Sequence, residues 1–135
     1  MQYIRFISRK HWDRNRRRFT SLAFKPSTTN RGISVVEHEC LSALSYSVCA
    51  HIRRFYAAVA GEPPIFWQFS FEILPETVHI EITPSNTGDG CHRDLMGLSD
   101  DQAKEIFKEV RDALENFKIC ENGNHRELII SDLPA

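Results

Sequence analysis

The chain has 135 residues, 41% of them hydrophobic and 26% charged, with a formal net charge of -1. That length suffices to bury a core without obligatory staples, and the composition is that of a globular protein and excludes a disordered one. No apolar run reaches the ~20 residues that a membrane-spanning helix needs, so no membrane partner is expected.

The near-neutral total conceals a split. The first 31 residues carry nine Lys/Arg and one Asp, and the remaining 104 carry eight Lys/Arg and seventeen Asp/Glu. Clustered charge sets the local potential and steers ligands, so the cationic segment is the first functional signal. The pI of 6.6 is low for a dedicated nucleic-acid domain, which is usually basic.

Taken in chain order, Tyr3 to Ile7 alternates as a short strand. An arginine-dense polar stretch, Ser8 to Arg18, follows it. Phe19 to Phe24 reads as a second apolar strand stopped by Pro26, and Ser27 to Gly32 as a loop. Ile33 to Glu37 is the third strand candidate. The period then changes: Leu41, Leu44, Val48, Ile52, Phe55 and Val59 form a helical stripe over about 41–60, closed by Gly61 and Pro63-Pro64. Residues 65–83 alternate on two arms and predict a hairpin, Trp67 to Ile73 against Val78 to Ile82. A glycine-containing loop runs from Pro84 to Gly97. Ser99-Asp100-Asp101-Gln102 has the form of a capping box and opens a second amphipathic helix over about 99–117. Glu121 to Asn124 reads as a turn and Leu128 to Ile130 as a last strand.

These elements predict a single α+β domain over 1–135: an antiparallel or mixed sheet of about five to six strands with both helices on one face. Cys40, Cys49, Cys91 and Cys120 are scattered without C-x-x-C spacing. Their even count permits a disulfide framework. The N-terminus lacks the order of a signal peptide, so reduced, mostly buried thiols and a cytoplasmic location are expected.

Four groups of residues are candidates for function. The basic segment offers Arg5, His11, Arg14, Arg16, Arg17 and Lys25 as charge, with Thr20 and Ser21 as neutral donors. Phosphate contact needs such cations, and Trp12 and Phe19 are on hand for stacking. The same segment also reads as a solvated turn that neutralises the acidic remainder of the chain or docks on an acidic partner or second copy. His79 and Glu81 lie two apart on one strand and share a face, so the carboxylate can raise the imidazole pKa and fix its tautomer for acid–base work. The outer face of a sheet also carries such pairs as plain solvated polarity. The loop Ser85 to Asp94 adds His92 and backbone N–H groups suited to an anion. The loose His/Cys pairs fit no zinc spacing, so no metal is expected.

The stretch Arg5, His11-Trp12, Thr20-Ser21-x-Ala23-Phe24-Lys25-Pro26 and Gly32-Ile33-Ser34-Val35 resembles the opening of a group of small uncharacterised bacterial proteins with an HW…TSxAFKP…(L/I)SV pattern. The resemblance covers roughly residues 3–36 and implies no activity. In a looser likeness, an Arg on the first strand followed by a Ser-bearing strand is similar to ADP-ribosyltransferase-like folds. That likeness implies NAD as cofactor, with Arg5 on phosphate, Ser21 or Ser34 beside the ribose and Glu81 as catalytic acid.

The leading expectation is a binding protein that contacts nucleic acid or another phosphate-bearing ligand through its cationic segment, with no cofactor, alone or within a larger assembly. The rivals are an enzyme acting on RNA or NAD through His79, Glu81 and His92, and a protein–protein interaction subunit.

Overall fold

The computed structural model describes residues 1–27, 32–55, 64–70, 77–82, 90–108 and 114–134. Nine strands are found among them: β1 (Gln2–Ile7), β2 (Trp12–Asp13), β3 (Arg18–Phe19), β4 (Ile33–Glu37), β5 (Ile65–Ser70), β6 (His79–Ile82), β7 (His92–Met96), β8 (Phe117–Glu121) and β9 (Asn124–Glu127). Seven form one sheet in the order β6-β7-β4-β1-β5-β8-β9, and β2 and β3 form a separate ribbon. Every pairing is antiparallel. Three α-helices accompany them, α1 (His38–Ala43), α2 (Val48–Phe55) and α3 (Asp100–Ile106). No helix among the described residues is long and apolar enough to cross a membrane.

The α+β class holds, but the layers differ from expectation. Strand residues alternate between two covered faces, so central strands are apolar on both sides. One face presents Tyr3, Ile7, Val35, Trp67, Phe69 and Phe117 to the N-terminal ribbon and to Ala103 and Phe107 around α3. The other presents Ile4, Val36 and Phe66 to Leu41, Val48 and Ile52 of α1 and α2. The helices therefore flank the sheet rather than share one face. The first face is held by rings: Phe24 stacks on Phe107 at 4.8 Å and meets Trp67 edge-on at 5.9 Å, each such pair adding about 1 kcal/mol beyond area burial.

Several boundaries move for local reasons. The helix expected over 41–60 is broken after Ala43, where Ser45 takes a positive φ of 60°. Ser47 then accepts from the Ala50 N–H at 3.0 Å, an N-cap contact that restarts the helix as α2. Residues 56–60 lie outside the described residues. The run expected as a strand over Phe19 to Phe24 pairs only through Arg18–Phe19, and Ser21–Phe24 is a 3-10 turn. α3 starts at its capping box as expected, with Ser99 Oγ accepting from the Gln102 N–H. Phe117, expected to close that helix, instead opens β8.

The expected hairpin of β5 and β6 is not formed. β5 is buried on both faces and sits between β1 and β8, whereas β6 pairs with β7 at the sheet edge. Alternation identifies a strand but not its partner. The turn expected over residues 74–76 lies outside the described residues, as do 84–89; the later part of the loop expected from Pro84 to Gly97 is instead strand β7, which pairs between β6 and β4. The last hairpin is β8–β9, closed by Asn122 (φ 54°) and Gly123 (φ 83°), both in the left-handed region that a two-residue type I′ turn requires. The strand expected at Leu128 to Ile130 is thus shifted to Asn124–Glu127.

The cysteines also depart from expectation. Cys40 is bonded to Cys91 and Cys49 to Cys120. One bond ties α1 to the segment entering β7 and the other ties α2 to β8, so the helical layer is pinned at two well-separated strands. Spacing along the chain carries no trace of this adjacency across layers.

Candidate functional site

The arginine-rich turn is an ordered part of the fold. Trp12 pairs with Phe19 and Asp13 with Arg18 across β2 and β3. Trp12 packs edge-on against Phe19 at 5.2 Å, and Phe19 meets Phe117 of β8 at 4.7 Å, which fastens the ribbon to the core. Asp13 is the one acid of the first 31 residues. Its Oδ1 accepts from the N–H groups of Asn15 at 3.0 Å and Arg16 at 3.2 Å, an Asx-type turn. Arg17 completes the turn with a φ of 55°.

Beside this ribbon lies a cleft of about 300 Å³, lined by Asp13, Arg16, Arg18, Phe19, Thr20 and Ser21, with Lys104, Glu105 and Lys108 from α3 and just beyond it. Four cationic side chains against two carboxylates leave an excess of positive charge. Arg16 lies 3.8 Å from Asp13, an exposed contact of small energy. Thr20 Oγ1 is a buried hydroxyl without a hydrogen-bond partner among the described residues. A cation-rich cleft is chemically suited to an anion's oxygens.

The structure divides the expected ligand contacts. Arg16, Thr20 and Ser21 line the cleft. Arg14 and Arg17 are exposed on the turn above it. Lys25 faces Asp100 at 3.9 Å. Arg5 points inward: Nε and Nη2 donate to the Ala23 carbonyl at 3.2 and 3.0 Å, and Nη1 donates to the Ser34 carbonyl at 2.8 Å. His11 is half-buried, and burial, helped by the Arg5 charge, pushes its pKa down. Arg18, the end of the arginine-dense stretch, also lines the cleft, and Lys104, Glu105 and Lys108 join it unannounced. The available signal was the four-residue spacing of Lys104 and Lys108, which puts them on one helical side away from the Ala103/Phe107 stripe.

The expected acid–base residues are elsewhere. His79 Nε2 and Glu81 Oε1 are 3.0 Å apart on edge strand β6, with both side chains more than half exposed. His92 is on β7 and hydrogen-bonded to Ser34 Oγ through Nε2. Glu81 is level with Asp94, and Asp94 with Ser34. These residues occupy the face opposite Val35, whose side chain is in the same core as Phe19 and Phe107. The cleft and the histidines are therefore separate. Among the described residues no three His, Cys, Asp or Glu side chains are grouped to hold a metal ion.

No family model, no curated protein and no solved structure matches the chain.

Proposed function

We propose that the protein binds a phosphate-bearing ligand in the cleft between the β2–β3 ribbon and α3, the ligand class being a nucleic-acid strand. The observation that carries this reading is the convergence of Arg16 and Arg18 with Lys104 and Lys108 on one recess, which Thr20 and Ser21 also line. Cations from two remote segments facing one recess cost electrostatic repulsion, which an anion relieves. A volume of about 300 Å³ is at the small end of ligand sites. It admits one phosphate with its sugar, which favours a single strand over a duplex lying across it. Arg14 and Arg17 on the turn extend the cationic surface for neighbouring phosphates.

The test is a salt titration of binding to a labelled single-stranded RNA oligonucleotide. Log affinity should fall with log salt at about 0.7 per phosphate contact, and the slope should shallow in Arg16→Ala/Arg18→Ala and in Lys104→Ala/Lys108→Ala. Unchanged affinity in both double variants would remove this reading. Binding of free phosphate with the same residue dependence, but none of RNA, would keep the cleft and change the ligand.

The two disulfides bear on location. Such bonds persist in oxidising compartments, so this reading places the protein in one, in preference to the cytoplasm expected from the N-terminal residues.

A further inference from the structure

On the face of the sheet opposite the cleft core, Ser34, His92 and Asp94 are brought together by the pairing of β4 with β7. Ser34 and Asp94 are directly opposed across the ladder, and His92 and Asp94 are two apart on one strand, so all three side chains share that face. Ser34 Oγ is hydrogen-bonded to His92 Nε2. Ser34 and His92 are each half-buried, and Asp94 is only 5% exposed. We propose that Ser34 is a nucleophile and His92 its general base at a second, catalytic site that hydrolyses carboxylic esters with an uncharged acyl group.

Three observations support the chemistry. Ser34 is fixed from both sides, by pairing with Asp94 and by the bond from Arg5 Nη1 to its carbonyl at 2.8 Å. A nucleophile held in contact with its base needs little reorganisation. His92 is kept largely as neutral imidazole: burial lowers its pKa, the Asp94 charge opposes this, and His51, Arg5 and Arg93 lower it further. A neutral imidazole whose Nε2 faces a hydroxyl is a competent proton acceptor. Val36, two residues from Ser34 on the same face, is buried in the cluster of Ile4, Phe66, Leu41, Val48 and Ile52, so the Ser34 side of the sheet borders an apolar layer. This apolar border is the reason for an uncharged acyl group. Asp94 acts through His92 as a positioning residue, stabilising the imidazolium that forms.

The steps balance. Ser34 Oγ bonds to the ester carbonyl carbon while its proton passes to His92 Nε2. The C–O bond to the alcohol then breaks, and the leaving oxygen takes that proton. Water next gives a proton to His92 and its hydroxyl to the acyl carbon, and Ser34 departs and regains the proton. The net change is ester plus water to acid plus alcohol.

The test uses a fluorophosphonate probe and p-nitrophenyl butyrate on the full chain. A single adduct should appear in the intact mass and map to Ser34. It should vanish in Ser34→Ala, and its rate should fall about 100-fold in His92→Gln. Labelling should be lost only at pH values below 6.5, the ordinary histidine value, since His92 is lowered from it. Asp94→Asn should move that acid limb lower still, which loss of a merely structural carboxylate would not do. Circular dichroism of each variant separates loss of fold from loss of chemistry. A folded wild-type protein that takes no adduct, or an adduct that survives in Ser34→Ala, would overturn the proposal. Labelling that persists in Arg16→Ala/Arg18→Ala while RNA binding is lost would show the two sites to be independent.

Discussion

Arg5 Nη1 donates to the carbonyl oxygen of Ser34 at 2.8 Å, joining β1 to β4 just beyond the last of their backbone pairs, Ile4↔Val36. Its other two donors reach the Ala23 carbonyl, so one guanidinium ties the sheet to the 3-10 turn at Ser21–Phe24. Charge-assisted bonds to partly buried carbonyls are costly to lose, because the acceptors are left unpaired. Arg5→Ala should therefore lower stability by about 3 kcal/mol. Arg5→Lys should recover only a part, since an ammonium cannot span both carbonyls as the planar fork does. Urea denaturation of the two variants measures both effects. Equal stability of Arg5→Ala and wild type would show that the carbonyls are satisfied by other means.

A second cluster makes stability depend on acid. Arg126 donates to both oxygens of Asp132, at 2.8 and 2.7 Å, and to Glu121 Oε2 at 3.0 Å. The Arg126 hydrogen bonds, seconded by the Ile129 N–H, hold the Asp132 carboxyl down to about 2, from an ordinary value of 3.8. The folded pKa is depressed, so the stabilisation is complete above the unfolded value and is lost as pH falls from 3.8 through about 2. Unfolding free energy should drop over that window in the wild type and stay flatter in Asp132→Asn. Denaturant titrations at about pH 5, 4, 3 and 2 read the difference directly. Parallel curves for the two proteins would contradict this assignment.

Local signals were legible where one segment suffices. The capping box at Ser99 and the helix it opens depend on four consecutive residues, and so does the Asn122-Gly123 turn, whereas β9, the strand that leaves that turn, is short and polar and carries no apolar alternation. Partner choice was not legible. β5 and β6 both alternate, but burial on two faces sends β5 to the sheet centre and leaves β6 at an edge. The same distinction divides the sites. The arginines of the ribbon stand out in composition, whereas Lys104 and Lys108 look like any solvated helix face until α3 docks beside them. Ser34 and His92 are 58 residues apart and meet only through the β4–β7 register. Both cysteine pairings have the same long-range character.

Gly97 leaves β7 with a φ of +95°, and a Cβ there would lie 2.5 Å from the Thr77 carbonyl oxygen. The obstacle is backbone beside β6, so it cannot swing aside as a flexible side-chain end would. Gly97→Ala should cost on the order of 3 kcal/mol, combining left-handed strain with displacement of the chain at Thr77. Gly123 is the internal control: its φ is +83°, but nothing lies within 4 Å of an added Cβ. Gly123→Ala should cost only about 1 kcal/mol of backbone strain. Thermal melts of the pair should rank them in that order, and a reversed ranking would refute the close approach of Gly97 to Thr77.

The disulfides carry the last prediction, which separates global stability from the Ser34 site. Cys40 and Cys91 are 51 residues apart in sequence, and Cys49 and Cys120 are 71 apart. By loop-closure entropy each bond should contribute about 4 kcal/mol, with the longer loop slightly ahead. Cys91 immediately precedes His92, so the Cys40–Cys91 bond anchors the start of the strand that carries the proposed base. The Cys49–Cys120 bond pins α2 to β8, on the far side of β1 from that strand. Cys40→Ser/Cys91→Ser and Cys49→Ser/Cys120→Ser should therefore lose comparable stability, and only the first should slow labelling of Ser34 while still folded. Peptide mapping without reductant verifies the pairings, and equal labelling rates in the two double variants would detach His92 from its anchor.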